Sequence, residues 1–135
     1  MLQSKNIRTH RLDSEILLSA VLGKKREEIL VNNNQQLSSK EVSNFNKLIR
    51  RRSLNEPIAY IVKEKEFWSK SFEVNKFTLI PRPETELIVE KLVEIYENKS
   101  ITILDIGTGT GCILISLICE LRRAKGLGID ISNKA

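Results

Sequence analysis

Apolar residues at Leu12, Ile16, Leu17, Ala20 and Val21 follow the spacing of one helical face and predict a helix over 11–22. Asp13 and Glu15 suit the positive N-terminal end of that helix, and Gly23 is placed to stop it. Residues 25–31 read as a second, short helix with Ile29, Leu30 and Val31 apolar, and 32–36 as a polar connector. Ser38-Ser39-Lys40-Glu41 fits a capping box, in which a hydroxyl caps the next helix and the glutamate reaches back. Val42, Phe45, Leu48 and Ile49 then mark the buried face of a third helix, and Pro57 opens a short turn through Tyr60. Residues 1–62 read as a small helical bundle.

The period changes near Lys63. Phe67, Trp68, Phe72, Val74, Phe77, Leu79 and Ile80, with polar residues between them, predict two strands over 66–74 and 77–80 that turn at Asn75-Lys76. The aromatics here are expected to pack the hairpin onto the bundle rather than to stack on bases. Pro81 and Pro83 stiffen the next entry, and Pro83, Glu84 and Glu86 suit the first turn of a helix that runs to about 98. A strand over 101–106, a helix over 111–122 and a strand over 126–130 follow. Helix and strand in alternation predict an α/β parallel sheet.

Composition narrows the class. The 135 residues are 41% hydrophobic and 29% charged, as in an ordinary globular protein. That length suffices for one core, or for a small domain and part of another. The most apolar run, 112–119, is interrupted by Ser116 and falls far short of the ~20 residues that cross a bilayer. MLQSKNIRTHR has no apolar stretch and does not read as a secretory signal, so the expected compartment is the cytoplasm. Cys112 and Cys119 lie seven apart on one predicted helix, roughly 10 Å, too far for a disulfide and without further ligands for zinc. His10 reads as a solvated residue. Net charge is +5 and uneven, with residues 1–80 at +6 and residues 81–135 at −1. Arg50-Arg51-Arg52 and Lys24-Lys25-Arg26 are the dense clusters, read as solvated helical surface rather than as a nucleic-acid footprint.

The candidate chemistry lies in ITILDIGTGTG, residues 101–111, where a buried strand ends in an acid and enters three glycines. A phosphate-binding P-loop requires a lysine after its last glycine, and none follows Gly111. The dinucleotide fingerprint requires glycines at the first, third and sixth places, but Cys112 stands at the sixth. The spacing D-x-G-x-G-x-G, with Gly107, Gly109 and Gly111, is that of many S-adenosylmethionine methyltransferases. Glycine lets the backbone approach such a ligand and adopt positive φ. GLGID, residues 126–130, places Asp130 at a second strand end, 23 residues after Gly107, where an acid can accept hydrogen bonds from ribose hydroxyls.

Five segments in order, RLDSEILLSAVLG, EPIAYIVKEKEF, LIPRPETELIVE, ILDIGTGTG and GIDIS, closely resemble the HemK/PrmC family, protein-(glutamine-N5) methyltransferases of peptide chain release factors. The resemblance implies an α/β protein: an N-terminal helical bundle for substrate recognition (1–62), a β-hairpin linker (63–80), and the first part of a Rossmann-like methyltransferase domain (81–135). It implies methyl transfer from S-adenosylmethionine to the side-chain amide nitrogen of the glutamine in the release factor GGQ motif. Gly107, Thr108, Gly109, Thr110 and Gly111 would line the cofactor, Asp130 would hold its ribose, and Asp105 would close the strand and fix the loop. Release factors are the expected partners, with no membrane and no direct nucleic-acid contact.

Two departures from the family pattern stand out. The Asn-Pro-Pro-Tyr motif that orients the target amide is not among these residues, so no catalytic residue is assigned. The chain reads as an N-terminal portion, expected to be inactive alone. Lys63 stands where the family usually has a glycine at the turn into the hairpin. Competing readings are half of an NAD-dependent oxidoreductase, a non-catalytic module that binds a release factor or the ribosome, and a glutamine methyltransferase of a ribosomal protein.

Overall fold

The hydrophobic spacing of the N-terminal half closes into four helices: α1 (His10–Leu22), α2 (Arg26–Val31), α3 (Ser39–Ser53) and α4 (Ile58–Val62). They form the first of two units, Met1–Val62 and Lys63–Ala135, in a computed structural model that describes every residue except Asn33. The polar connector expected over 32–36 includes Asn33, which lies outside the described residues. The capping box forms as read: the Glu41 amide donates to Ser38 Oγ at 3.3 Å, and the Ser38 amide donates to Glu41 Oε2 at 2.7 Å. Gly23 ends α1 in the left-handed conformation, its amide donating to Ser19 O.

Leu17, Ile49 and Ile61 form the core of this unit, joined by Leu2 and Ile7 from the polar-looking N-terminus. A short 3-10 turn, Gln3–Lys5, folds that segment so that both apolar side chains turn inward. Asp13 has a role that its position in α1 did not suggest. It is buried, and Arg52 Nε of α3 donates to its Oδ2 at 2.6 Å. Arg51 likewise donates from Nε to Glu56 at 2.8 Å. Two of the three arginines in the 50–52 cluster are thus held by acids of their own unit, not left as an open basic face.

The second unit begins with an antiparallel hairpin, β1 (Glu64–Phe67) and β2 (Lys70–Glu73), in which Phe67 pairs with Lys70. The turn is Trp68-Ser69, not Asn75-Lys76, and 77–80 is not a strand. Trp68 and Ser69 both hold positive φ (51° and 54°), as a two-residue hairpin loop following the strand twist requires. Asn75 instead shapes a separate turn: its Oδ1 accepts from the Phe77 amide at 2.8 Å. The hairpin aromatics also differ from expectation. Phe67 and Phe72 meet edge to face, with ring centroids 6.2 Å apart, inside the core of the second unit with Val89 and Leu117.

Lys63, just before β1, sits at φ 63°, the left-handed backbone that a glycine adopts without a Cβ penalty, and its carbonyl accepts from the Val74 amide at 3.1 Å. Lys63→Gly is therefore expected to stabilise the second unit by up to about 1 kcal/mol, against the greater entropy of glycine in the unfolded chain. Thermal unfolding followed by the fluorescence of Trp68, the single tryptophan, measures it, and a lowered midpoint would contradict it.

A 3-10 turn, Pro83–Thr85, leads into α5 (Glu86–Tyr96). Strands β3 (Thr102–Ile106) and β4 (Lys125–Ile129) pair in parallel around α6 (Cys112–Glu120), with Leu104 opposite Leu127 and Asp105 opposite Gly128. Period-2 alternation sends Ile103, Asp105, Gly126 and Gly128 to the α6 side of the sheet. Helix and strand approach closely because Gly126 has no side chain: a Cβ there would stand 2.5 Å from Leu114 Cδ1. Trp68 fastens the hairpin to both helices, its backbone amide donating to Glu86 Oε1 and its Nε1 to Glu120 Oε1, each at 2.9 Å. Among the described residues no helix is long and apolar enough to cross a membrane.

Candidate functional site

The five residues that follow β3 make the chain reverse between a strand end and a helix start. Gly107, Gly109 and Gly111 all hold positive φ, at 79°, 53° and 74°. Three such residues within five positions favour glycine, which takes this backbone without a Cβ penalty. Gly111 is the residue that precedes α6, and its carbonyl accepts from the Ile115 amide at 2.8 Å. A Cβ on Gly107 would meet nothing within 4 Å, and one on Gly109 only the Gly107 carbonyl at that limit. The loop is glycine for its backbone conformation, and the space before it is open to a ligand.

Neighbouring groups fix the loop. The amides of Gly107 and Thr108 both donate to the Ile129 carbonyl at the end of β4, at 2.8 and 3.0 Å. Thr108 Oγ1 donates to Asp105 Oδ2 at 2.8 Å, so Asp105 holds the loop through a side chain. Gly128 leaves the room for this: a Cβ there would lie 2.8 Å from Thr108 Oγ1. Thr110 Oγ1 accepts from the Cys112 amide at 3.4 Å.

Asp130 stands beside the loop. Its Oδ1 accepts from the Ser132 amide and its Oδ2 from the Gly109 amide, both at 2.8 Å. These two amides, Ser132 first, hold the carboxyl below the usual carboxylate range against a smaller opposing effect of desolvation. Asp130 is therefore ionised at neutral pH. Two carboxylate oxygens offer about four acceptor sites, so Asp130 can still accept from hydroxyls of a ligand. Gly107, Thr108, Gly109, Thr110, Gly111 and Asp130 are thus brought together, and the bond from Gly109 to Asp130, spanning 21 residues, joins them directly.

A cleft of about 560 Å³ opens beside the loop. Gly109 and Thr110 form one wall, and Ser71, Glu73, Asn75 and Thr78 form part of the other. Sequence reasoning assigned no function to these hairpin and turn residues. No motif marks them, and only the fold of the hairpin against α5 and α6 sets them opposite the glycines. The residues fit a nucleoside bearing a short charged tail: a fixed glycine backbone without side-chain obstruction, an ionised acceptor for hydroxyls, and a neighbouring cleft that offers both Lys70 and Glu73.

The chain is similar to known proteins over most of its length. Residues 1–62 match the family model described as the PrmC N-terminal domain. The chain is 46% identical over 125 residues to the release factor glutamine methyltransferase of Buchnera aphidicola subsp. Acyrthosiphon pisum, covering 93% of this chain and 45% of that protein. It is 38% identical over 125 residues to the protein of the same name from Caulobacter vibrioides, covering 92% and 43%. It is also 41% identical over 140 residues to a bifunctional methyltransferase of Rickettsia prowazekii, covering 90% and 27%. The chain spans less than half the length of these curated relatives.

The resemblance to the HemK/PrmC family, carried in the sequence by IPRPETE and the glycine loop, therefore stands, and it extends over most of these residues.

Proposed function

We propose that this chain forms the substrate-recognition unit and the cofactor-binding half of a protein-(glutamine-N5) methyltransferase that acts on peptide chain release factors. The observation that carries the reading is the left-handed glycine loop tied through Gly109 to the ionised Asp130, in a chain so similar to proteins bearing that name. The cofactor is S-adenosylmethionine, which supplies an electrophilic methyl group on a sulfonium. Gly107, Thr108, Gly109, Thr110 and Gly111 would lie against it, and Asp130 would accept from the ribose hydroxyls. Residues 63–135 are then the linker hairpin and the opening strands of a Rossmann-like domain, and Met1–Val62 recognises the release factor in the cytoplasm.

The target is the glutamine amide of the GGQ motif. An amide nitrogen is a poor nucleophile because its lone pair is delocalised into the carbonyl. Catalysis must orient that nitrogen towards the methyl and support the amide hydrogens as charge develops. The Asn-Pro-Pro-Tyr motif suited to that role is not among residues 1–135. The residues present instead hold the nucleoside end still while the reacting end is presented.

Titration calorimetry with S-adenosylhomocysteine and with NAD tests the cofactor assignment. Saturable binding of the former and none of the latter is expected, and preferential NAD binding would sink the reading. In a labelled-methyl assay with a release factor, a polypeptide of these 135 residues is expected to show no turnover. Robust methylation would contradict the division of labour proposed here.

A further inference from the structure

The charge of the chain belongs entirely to its helical unit. Residues 1–62 carry 11 Lys/Arg and 6 Asp/Glu, net +5, whereas residues 63–135 carry 11 of each. Much of the basic charge in the first unit is already engaged: Arg52 with Asp13, and Arg51 with Glu56. A different arrangement holds where α1 meets α2. There a cleft of about 340 Å³ is walled by Arg8, Arg11, Arg26, Leu12, Leu30 and Glu15. Three guanidinium groups face a single carboxylate.

Glu15 is shared by two of the three. Arg26 Nη2 lies 2.7 Å from its Oε2, and Arg11 Nε donates to its Oε1 at 3.2 Å. Arg26 is the larger cause that holds the Glu15 carboxyl below its ordinary range, with Arg11 adding to it. Arg8 has no anionic partner among the described residues. Beside these charges Leu12 and Leu30 are 42% and 45% exposed, apolar surface at the edge of a cationic cleft.

We propose that this cleft is a docking site for an acidic, leucine-bearing segment of a partner protein. The partner's carboxylates pair with Arg8 and Arg11, and its aliphatic side chains cover Leu12 and Leu30. Guanidinium groups match carboxylates in planar, two-pronged pairs, and the excess charge of the unit steers an acidic partner to it. One feature disfavours RNA: the cleft has no aromatic wall on which a base could stack, while Leu12 and Leu30 offer aliphatic surface that a peptide can cover. The proposal rests on reading Met1–Val62 as the unit that recognises a release factor, and it names the chemistry of the segment recognised.

The test uses the whole 135-residue chain, labelled for amide NMR. It is titrated with a ten-residue peptide alternating glutamate and leucine, with a glutamate–serine peptide of equal length, and with oligouridine. The Glu/Leu peptide is expected to shift the amides of Arg8, Leu12, Arg26 and Leu30. The Glu/Ser peptide should bind several-fold more weakly. Arg8→Glu should weaken the Glu/Leu peptide about tenfold without altering the thermal midpoint, and raised salt should weaken it further. Absence of shifts at the cleft, an unchanged affinity in Arg8→Glu, or equal shifts with oligouridine would each overturn the proposal. A parallel titration with a release factor separates the two readings. If the release factor binds equally well to the wild type and to Arg8→Glu, the cleft proposal falls and the functional reading survives. If the release factor fails to bind while the Glu/Leu peptide maps to the cleft, the functional reading falls and the cleft remains.

Discussion

Asp130→Ala weakens S-adenosylhomocysteine binding about a hundredfold as an expected result, because the carboxylate that ties the loop is also the one proposed to hold the ligand. Its removal deletes the acceptor proposed for the ribose. It also releases the amide of Gly109, which donates to Oδ2 at 2.8 Å, and that of Ser132, which donates to Oδ1. Asp130→Asn keeps the shape but offers only one acceptor oxygen, so a loss of about tenfold is expected. Calorimetry on both variants, with amide exchange at Gly109, measures the two roles. Wild-type affinity in Asp130→Ala would remove Asp130 from the site. Because the folded-state carboxyl titrates below its ordinary range, its contribution is complete above about pH 4 and is lost as pH falls through the lowered value. Affinity should therefore show no step from this group between about pH 5 and 8.

Arg52→Ala is expected to destabilise the helical unit by about 3 kcal/mol. It strands the Asp13 carboxylate, whose side chain is 7% exposed, without the guanidinium that donates to it at 2.6 Å. A unit of this length holds roughly 3–9 kcal/mol in total, so a third or more of its stability would go. The paired change Asp13→Leu with Arg52→Met removes both charges at similar volume, and it should recover most of the loss. Urea unfolding followed on the amides of Met1–Val62, with Trp68 fluorescence as an internal reference for the second unit, distinguishes these outcomes. A double variant as unstable as Arg52→Ala would show that the ion pair is not what matters.

Legibility in the sequence followed the range of the interaction. The Ser38–Glu41 cap and the Gly23 helix stop were readable because cause and effect lie within a few residues. The glycine loop was readable for a similar reason: positive φ at three alternate positions is a backbone demand that glycine meets at least cost. The Asp13–Arg52 pair spans 39 residues, and each member read as ordinary helix charge until α1 and α3 packed together. The hairpin turn was misplaced because Asn75-Lys76 carries a recognised turn residue, whereas Trp68-Ser69 adopts left-handed backbone with neither glycine nor asparagine. In the site, Asp130 was identifiable at a strand end, but its bond to Gly109 depended on the parallel register of β3 and β4. The hairpin wall of the cleft carried no signal at all.

Gly128 has an evolutionary consequence. Any side chain at that position must displace Thr108, whose hydroxyl is the group that Asp105 holds. Positions 128 and 108 are therefore coupled in the substitutions they accept. An alanine at 128 is accommodated by a residue at 108 that lacks the γ-hydroxyl, and the tether to Asp105 is then forgone. A drifting lineage would cross that pair of changes together or not at all. The strand end and the loop thus constrain each other's sequence even though their bonding is largely backbone.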